Sequence, residues 1–300
     1  MKKIEGIITA VLTPYKQDES LDTASLGRLL KMNMDKGIGG FYVCGSTAEA
    51  FLLTLNERKQ ILEATMETAG GKKMVIAHVG CMSQNDAIEL AKHAEKAGAD
   101  AISSVAPFYY NYSFEEIKAY YFALADAVSL PVMIYNFPAY SGVNLTTDQL
   151  GEFLSDRRFA GVKHTSSNFY MLERLITRFP DKSFLNGYDE MLVSGLSAGA
   201  CGGIGSTYGA MPSLYAQLYR LVRENRLEEA RKVQASANDI IDILCKVGVI
   251  PGLKELLRHL GYDIGTCRRP FKRISAEESE LLKKAAGMIL NWEEEHGCKS

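Results

Sequence analysis

Lys163 closes a short apolar run, Phe159-Ala160-Gly161-Val162-Lys163. Burying an ammonium ion is costly, so a lysine in that position is either paired or deprotonated. A deprotonated lysine is a nucleophile toward ketones and forms a Schiff base with them. A second apolar run, Val132-Met133-Ile134-Tyr135-Asn136, carries a tyrosine near its end. A lysine and a tyrosine on two strand ends suggest chemistry that makes and breaks carbon–carbon bonds through an imine. The alternative use of such a lysine is to extend its ammonium into water or onto a carboxylate. Side chains alternate along a strand, so Lys163 and Thr165 are expected on one face and His164 on the other, away from the lysine.

Polar turns follow several of the apolar runs. Gly45-Ser46-Thr47-Ala48-Glu49-Ala50 sets two hydroxyls at a strand-to-helix turn, where backbone N–H groups and a helix N-terminus favour an anion such as a carboxylate. The same residues also read as a Ser/Thr helix N-cap, the commoner use of that spacing. Asn186-Gly187-Tyr188-Asp189-Glu190 and Gly205-Ser206-Thr207-Tyr208 are further turns of this kind. If all these turns converge on one mouth, they form a site and not a set of separate caps.

The elements that must position these residues alternate regularly. Strand-like runs cover Gly6–Val11, Gly40–Val43, Met74–His78, Ala101–Val105, Val132–Asn136, Ala160–Lys163, Phe184–Asn186 and Gly202–Gly205, with amphipathic stretches such as Glu57–Ala69 and Gln84–Ala97 between them. Such alternation implies parallel strands joined by right-handed crossovers. Eight units in about 220 residues fit an α/β fold of the (β/α)₈, or TIM-barrel, type, in which catalytic groups sit at the C-terminal strand ends. Lys36-Gly37, Ala97-Gly98 and Ala198-Gly199 each put a glycine just past a helix end, as a left-handed C-cap requires. From about Arg226 the pattern turns wholly helical, with Leu227–Val247, Leu253–His259 and Ala276–Glu295. The expected division is a barrel over residues 1–225 that holds the active site and a helical appendage over residues 226–300. The apolar stripes of that appendage read as core, and Trp292-Glu293-Glu294-Glu295-His296 reads as a solvated end.

Composition narrows the class of function. The chain has 300 residues, 47% hydrophobic and 23% charged, with a net charge of −2 and no long basic run, so nothing points to nucleic acid. No stretch approaches the roughly 20 apolar residues of a membrane span, and Met1-Lys2-Lys3-Ile4-Glu5-Gly6 lacks the apolar core of a signal peptide. Six cysteines (Cys44, Cys81, Cys201, Cys245, Cys267, Cys298) stand without a CxxC pair, and five histidines without a ligand spacing. The expectation is a cytoplasmic protein with reduced thiols, no metal and no other cofactor.

Taken together, Gly45-Ser46-Thr47-x-Glu49, Tyr135-Asn136-x-Pro138 and Gly161-Val162-Lys163 resemble the dihydrodipicolinate synthase and N-acetylneuraminate lyase family of pyruvate-dependent class I aldolases, in the same order and over almost the whole chain. Tyr135-Asn136-Phe137-Pro138-Ala139-Tyr140-Ser141-Gly142 and Lys163-His164-Thr165-Ser166 look like the lyase branch of that family. The resemblance implies reversible cleavage of a sialic acid, N-acetylneuraminate, to N-acetylmannosamine and pyruvate. It assigns the imine to Lys163 and proton transfer to Tyr135 working with Ser46. It gives the substrate carboxylate to Ser46 and Thr47, and the sugar to Thr165, Gly187, Asp189, Glu190 and Ser206, with Tyr188 and Gly205 in the same turns. Tyr110 resembles a tyrosine that reaches a neighbouring subunit's site, which implies at least a dimer, and the family resemblance implies a homotetramer.

Two positions depart from the family pattern. Ala48 stands where glycine is usual, and alanine disfavours left-handed backbone. Ser167-Asn168 replaces a Gly-Asp on the rim of the sugar pocket. The rival readings are dihydrodipicolinate synthase, which has an arginine near the position of Tyr140, and a 2-keto-3-deoxy sugar acid aldolase. From other classes come a metal-assisted barrel enzyme and a non-catalytic sensor that binds pyruvate or a sugar acid.

Overall fold

The protein is described from a computed structural model that covers residues 3–297; Met1, Lys2 and Cys298 lie outside the described residues. Eight short strands, β1 (Gly6–Ala10), β2 (Gly40–Val43), β3 (Met74–His78), β4 (Ala101–Val105), β5 (Val132–Asn136), β6 (Phe159–His164), β7 (Ser183–Asn186) and β8 (Gly202–Gly205), form a closed parallel barrel in chain order. Closure comes from β8 pairing back onto β1, with Ile8 beside Ile204. Around the strands run α1 (Thr23–Asp35), α2 (Leu55–Ala69), α3 (Gln84–Ala97), α4 (Phe114–Ala127), the single turn α5 (Pro138–Ser141), α6 (Thr147–Leu154), α7 (Phe169–Arg178), α8 (Leu192–Ser197) and α9 (Pro212–Arg223). The barrel is followed by α10 (Leu227–Val247), α11 (Val249–His259) and α12 (Ala276–Glu295). The (β/α)₈ reading of the sequence is borne out. No helix of the described residues is long and apolar enough to cross a membrane.

Two apolar cores account for the strand sequences. Ile8, Tyr42, Ile76, Met133, Leu185 and Ile204 fill the barrel interior, while Ile7, Phe41, Val75, Ile134 and Val162 pack outward against the helices. A strand buried on both faces must be apolar nearly throughout, which is why these strands read as continuous runs. Helix starts are set locally: Thr54 with Glu57, Ser113 with Glu116, Thr146 with Gln149 and Ser275 with Glu278 form capping boxes. Helix stops follow the expected glycines, with Gly37, Gly98 and Gly199 all at φ between 84° and 102°.

Differences from the sequence reading sit at element ends. β6 runs from Phe159 to His164, one residue longer at each end than expected. α11 begins at Val249, four residues before Leu253, because Pro251 falls in its first turn, where the missing N–H has no intrahelical acceptor to lose. The run from Trp292 to His296 is not wholly solvated. Trp292 is buried, and Glu293 is buried with it in an ion pair to Lys36 Nζ at 2.7 Å and a 2.8 Å hydrogen bond from Ser213 Oγ. The acidic run hid a residue that docks α12 onto α1 and α9.

Candidate active site

Lys163 faces the barrel interior because β6 carries an irregularity. Val132 pairs with Phe159, but the next residue, Met133, pairs with Gly161, so one extra residue is accommodated at Ala160. Phe159 and Val162 belong to the outer core and Ala160 to the inner one. Strict alternation from Phe159 would turn Lys163 outward; the extra residue reverses the parity. Gly161 makes this possible. Its φ is 153°, and a Cβ there would lie 1.7 Å from Ser183 O. Beyond the bulge the register sets Tyr135 beside Lys163 and Asn136 beside His164. His164 points outward as expected, buried against the Asn168 carbonyl and the Asn136 amide.

Lys163 is 5% exposed. Its Nζ lies 4.0 Å from the centre of the Tyr135 ring and 4.5 Å from that of Tyr42. The rings exclude water, and burial lowers the amine's pKa from 10.5 to about 7, opposed by the nearby Asp189 carboxylate. Near neutral pH a large fraction of Lys163 is therefore the free amine, as imine formation requires. Tyr135 shifts the other way: burial raises its phenol pKa, although the Ser46 and Thr165 hydroxyls beside it oppose the shift. Thr165 is buried beside Lys163 and Tyr135 in the same cavity.

Three polar turns surround this pair. In the first, Ser46–Ala48 form one 3₁₀ turn, and the residues in left-handed conformation are Cys44 (φ 58°) and Glu49 (φ 59°). Ala48 is right-handed, so the alanine in place of glycine is accommodated without strain. His78 fixes the start of this turn. Its Nε2 accepts from Val105 N, so Nδ1 carries the proton and donates to Cys44 O at 2.9 Å. The second turn holds Asp189, buried, whose Oδ2 accepts from Thr207 N and Thr207 Oγ1, both at 2.7 Å, and from Ser206 Oγ at 3.4 Å. Oδ1 packs against the backbone of Gly205. Burial raises the Asp189 pKa to about 6. Glycines make the approach possible: a Cβ on Gly187 would meet Thr165 Oγ1 at 1.9 Å, and one on Gly205 would meet Asp189 Oδ1 at 2.1 Å. The Ser167-Asn168 departure is structural, since the Asn168 side chain caps α7 by accepting from Met171 N.

Ser46, Thr47, Tyr135, Lys163, Thr165, Gly187, Tyr188, Asp189, Glu190 and Ser206 share one cavity of about 290 Å³ at the C-terminal end of the barrel. Gly205 does not line it, although its neighbours Ile204 and Ser206 do. Tyr110 does not join them: it is 66% exposed in the loop before α4, stacked edge-on with Tyr109. The sequence reading missed the other wall. Ile241 and Cys245 of α10, with Val249 and Ile250 of α11, line the cavity opposite the polar turns. Ile241 and Cys245 stand four residues apart on one face of α10, but the same spacing serves core packing, and the sequence offers nothing to separate the two uses.

A model of the dihydrodipicolinate synthetase family matches residues 3–288. The chain is 43% identical over 298 residues to an N-acetylneuraminate lyase of Rhizobium meliloti (strain 1021), covering 99% of each. Among solved structures, the wild-type sialic acid aldolase of Ruminococcus gnavus superposes with a TM-score of 0.95 at 34% identity, covering 98% of this chain and 99% of that one. A catalytic lysine mutant of the same protein superposes at 0.94, with 33% identity and 97% of each chain covered. With the imine-competent lysine, the paired tyrosine and the closed barrel already in place, these likenesses leave no doubt of kinship: the chain belongs to the dihydrodipicolinate synthetase family.

Proposed function

We propose that this protein is a class I aldolase that reversibly cleaves N-acetylneuraminate to N-acetylmannosamine and pyruvate. The observation that carries the reading is Lys163 Nζ, buried between two phenol rings with its pKa lowered toward neutrality. The free amine adds to the C2 ketone of the open-chain sugar, and loss of water gives the protonated imine. Removal of the C4 hydroxyl proton lets the C3–C4 bonding electrons move into the imine, releasing the aldehyde and leaving an enamine. Protonation of the enamine and hydrolysis then free pyruvate and the amine. Tyr135 stays protonated at neutral pH, so it acts as a relay with Ser46 and the substrate carboxylate and not as a standing phenolate. Ser46 and Thr47 hold the carboxylate. Thr165, Asp189, Glu190 and Ser206 hold the polyhydroxylated chain, with Gly187 and Gly205 opening the space.

Sialic acid relatives at high identity support the sugar over aspartate semialdehyde, as does Tyr140 in place of the synthase arginine. The assembly is a homotetramer in which Tyr110 reaches a neighbour's site. The described cysteines are all free thiols, which suits the reducing cytoplasm.

Borohydride reduction in the presence of pyruvate tests the chemistry. One pyruvyl group should be found on Lys163 by mass spectrometry and none on Lys163→Ala. Labelling of a different lysine, or no labelling, overturns the mechanism. A higher kcat/KM for a short keto-deoxy sugar acid than for N-acetylneuraminate would reassign the substrate.

A further inference from the structure

Glu49 belongs to the turn that presents Ser46 and Thr47, yet its carboxylate faces away from the cavity into a sealed pocket. Its side chain is 0% exposed, that of Lys254 in α11 is 2% exposed, and Glu49 Oε1 lies 2.8 Å from Lys254 Nζ. Glu49 Oε2 accepts from Arg268 N at 2.8 Å. Lys254 also donates to Thr13 O at 2.7 Å and to Thr266 O at 3.3 Å, and it sits 4.3 Å from the centre of the Tyr15 ring. Thr13 in turn donates its Oγ1 to Ala48 O at 2.7 Å. These contacts form a closed ring. It runs from Ala48 through Thr13 to Lys254 and returns through Glu49 to the same turn.

A buried ion pair is weak evidence for added stability, since desolvating two charges offsets their attraction. Its directionality is the informative part. Cys44 and Glu49 are both non-glycine residues in left-handed conformation, and such residues persist only where the surroundings over-determine them. His78 determines the first through Cys44 O; the ring determines the second. Between the two clamps lie the hydroxyls and N–H groups assigned to the carboxylate.

We infer that Lys254, Glu49 and Thr13 are positioning residues for the substrate carboxylate, through which the C-terminal helices hold the Ser46–Thr47 turn in its binding geometry. This rests on the imine-forming reading above. It predicts a defect confined to ketones that carry a carboxylate.

The test compares borohydride trapping of pyruvate with that of hydroxyacetone, which forms the same imine without a carboxylate. In Lys254→Met, and in Glu49→Gln/Lys254→Met where no unpaired charge stays buried, the trapping efficiency for pyruvate relative to hydroxyacetone should fall about 10- to 100-fold, the scale of a small misplacement of binding groups. The loss should appear in the half-saturating pyruvate concentration and not in the limiting rate. Thr13→Val keeps both charges and the packing volume, and it should lower the same ratio several-fold even if the charge variants do not fold. An unchanged ratio in Thr13→Val, or in a folded charge variant that has lost only thermal stability, overturns the inference. Failure of the wild type to trap either ketone overturns the imine reading instead.

Discussion

At the scale of single residues, burial draws two proton affinities toward each other. Lys163 is pulled down to about 7 by burial and Asp189 pushed up to about 6 by the same cause. For Lys163 the shift corresponds to roughly 5 kcal/mol against the ammonium form. Between pH 7 and 10.5 the unfolded chain holds a proton on this lysine that the folded one has released, so its contribution to stability improves as pH rises through that window and is least favourable below it. The same displacement sets activity. The rate of pyruvate trapping should rise with pH along an acid limb near 7, far below an ordinary lysine. Asp189→Asn removes the anion that favours the ammonium form, so it should move that limb to lower pH. A pH profile of single-turnover trapping measures both, and a limb that stays put or moves up in the variant would show that Asp189 does not act on the amine. The lysine and tyrosine were legible in the sequence because a charge at the end of an apolar run is costly. Tyr42, the second ring over Lys163, was not legible, since an aromatic in a strand is ordinary core.

At the scale of elements, glycine decides how closely the turns approach the reactive pair. Gly205 ends β8 directly against Asp189 Oδ1. Gly205→Ala must push that carboxylate aside and break its alignment with Thr207. The expected outcome is an increase of about 10-fold in KM for N-acetylneuraminate, with a much smaller change in the pyruvate concentration that half-saturates trapping. Equal increases in the two would show that the turn bearing Asp189 serves the whole site and not the sugar end. All eight strands were legible because their two-faced burial leaves continuous apolar runs, and most helices because their caps are local. The bulge in β6 was not, since it arises from pairing with β5 and from the close approach of the Ser183 backbone to Gly161, neither of which leaves a local mark beyond that glycine. Nor was the Glu49–Lys254 pair, whose partners lie far apart in the chain and acquire meaning only once α11 is docked.

At the scale of the whole molecule, α10 and α11 reach both sides of the mouth. Gln234 donates to Asp189 O at 3.1 Å and Asn238 to Glu190 O at 3.2 Å, while Lys254 braces the carboxylate turn. The helices after the barrel thus support the two turns assigned to opposite ends of the substrate. The exposed surface carries a complementary demand. Tyr109 and Tyr110 stand out from the loop before α4, with Tyr109 at φ 83°, and large aromatic rings left in water in this way favour burial against another surface. Light scattering is expected to give a tetramer, and Tyr110→Ala to lower kcat while leaving trapping at Lys163 measurable. A fully active monomer would remove the tyrosine from the reaction.

The bulge at Ala160 and Gly161 has a consequence for mutation and for engineering. Parity along a strand is a binary quantity, and here one inserted residue sets it for Lys163. Deleting that residue would leave the composition, the helices and the neighbouring strands almost as they are, yet it would aim the amine into the oily layer beneath the helices. A variant that gains or loses one residue between Phe159 and Lys163 is expected to lose pyruvate trapping by borohydride, whereas a volume-conserving apolar exchange at Ala160 or Val162 is expected to keep it. Anyone grafting this chemistry onto another barrel must copy an offset in register together with the lysine.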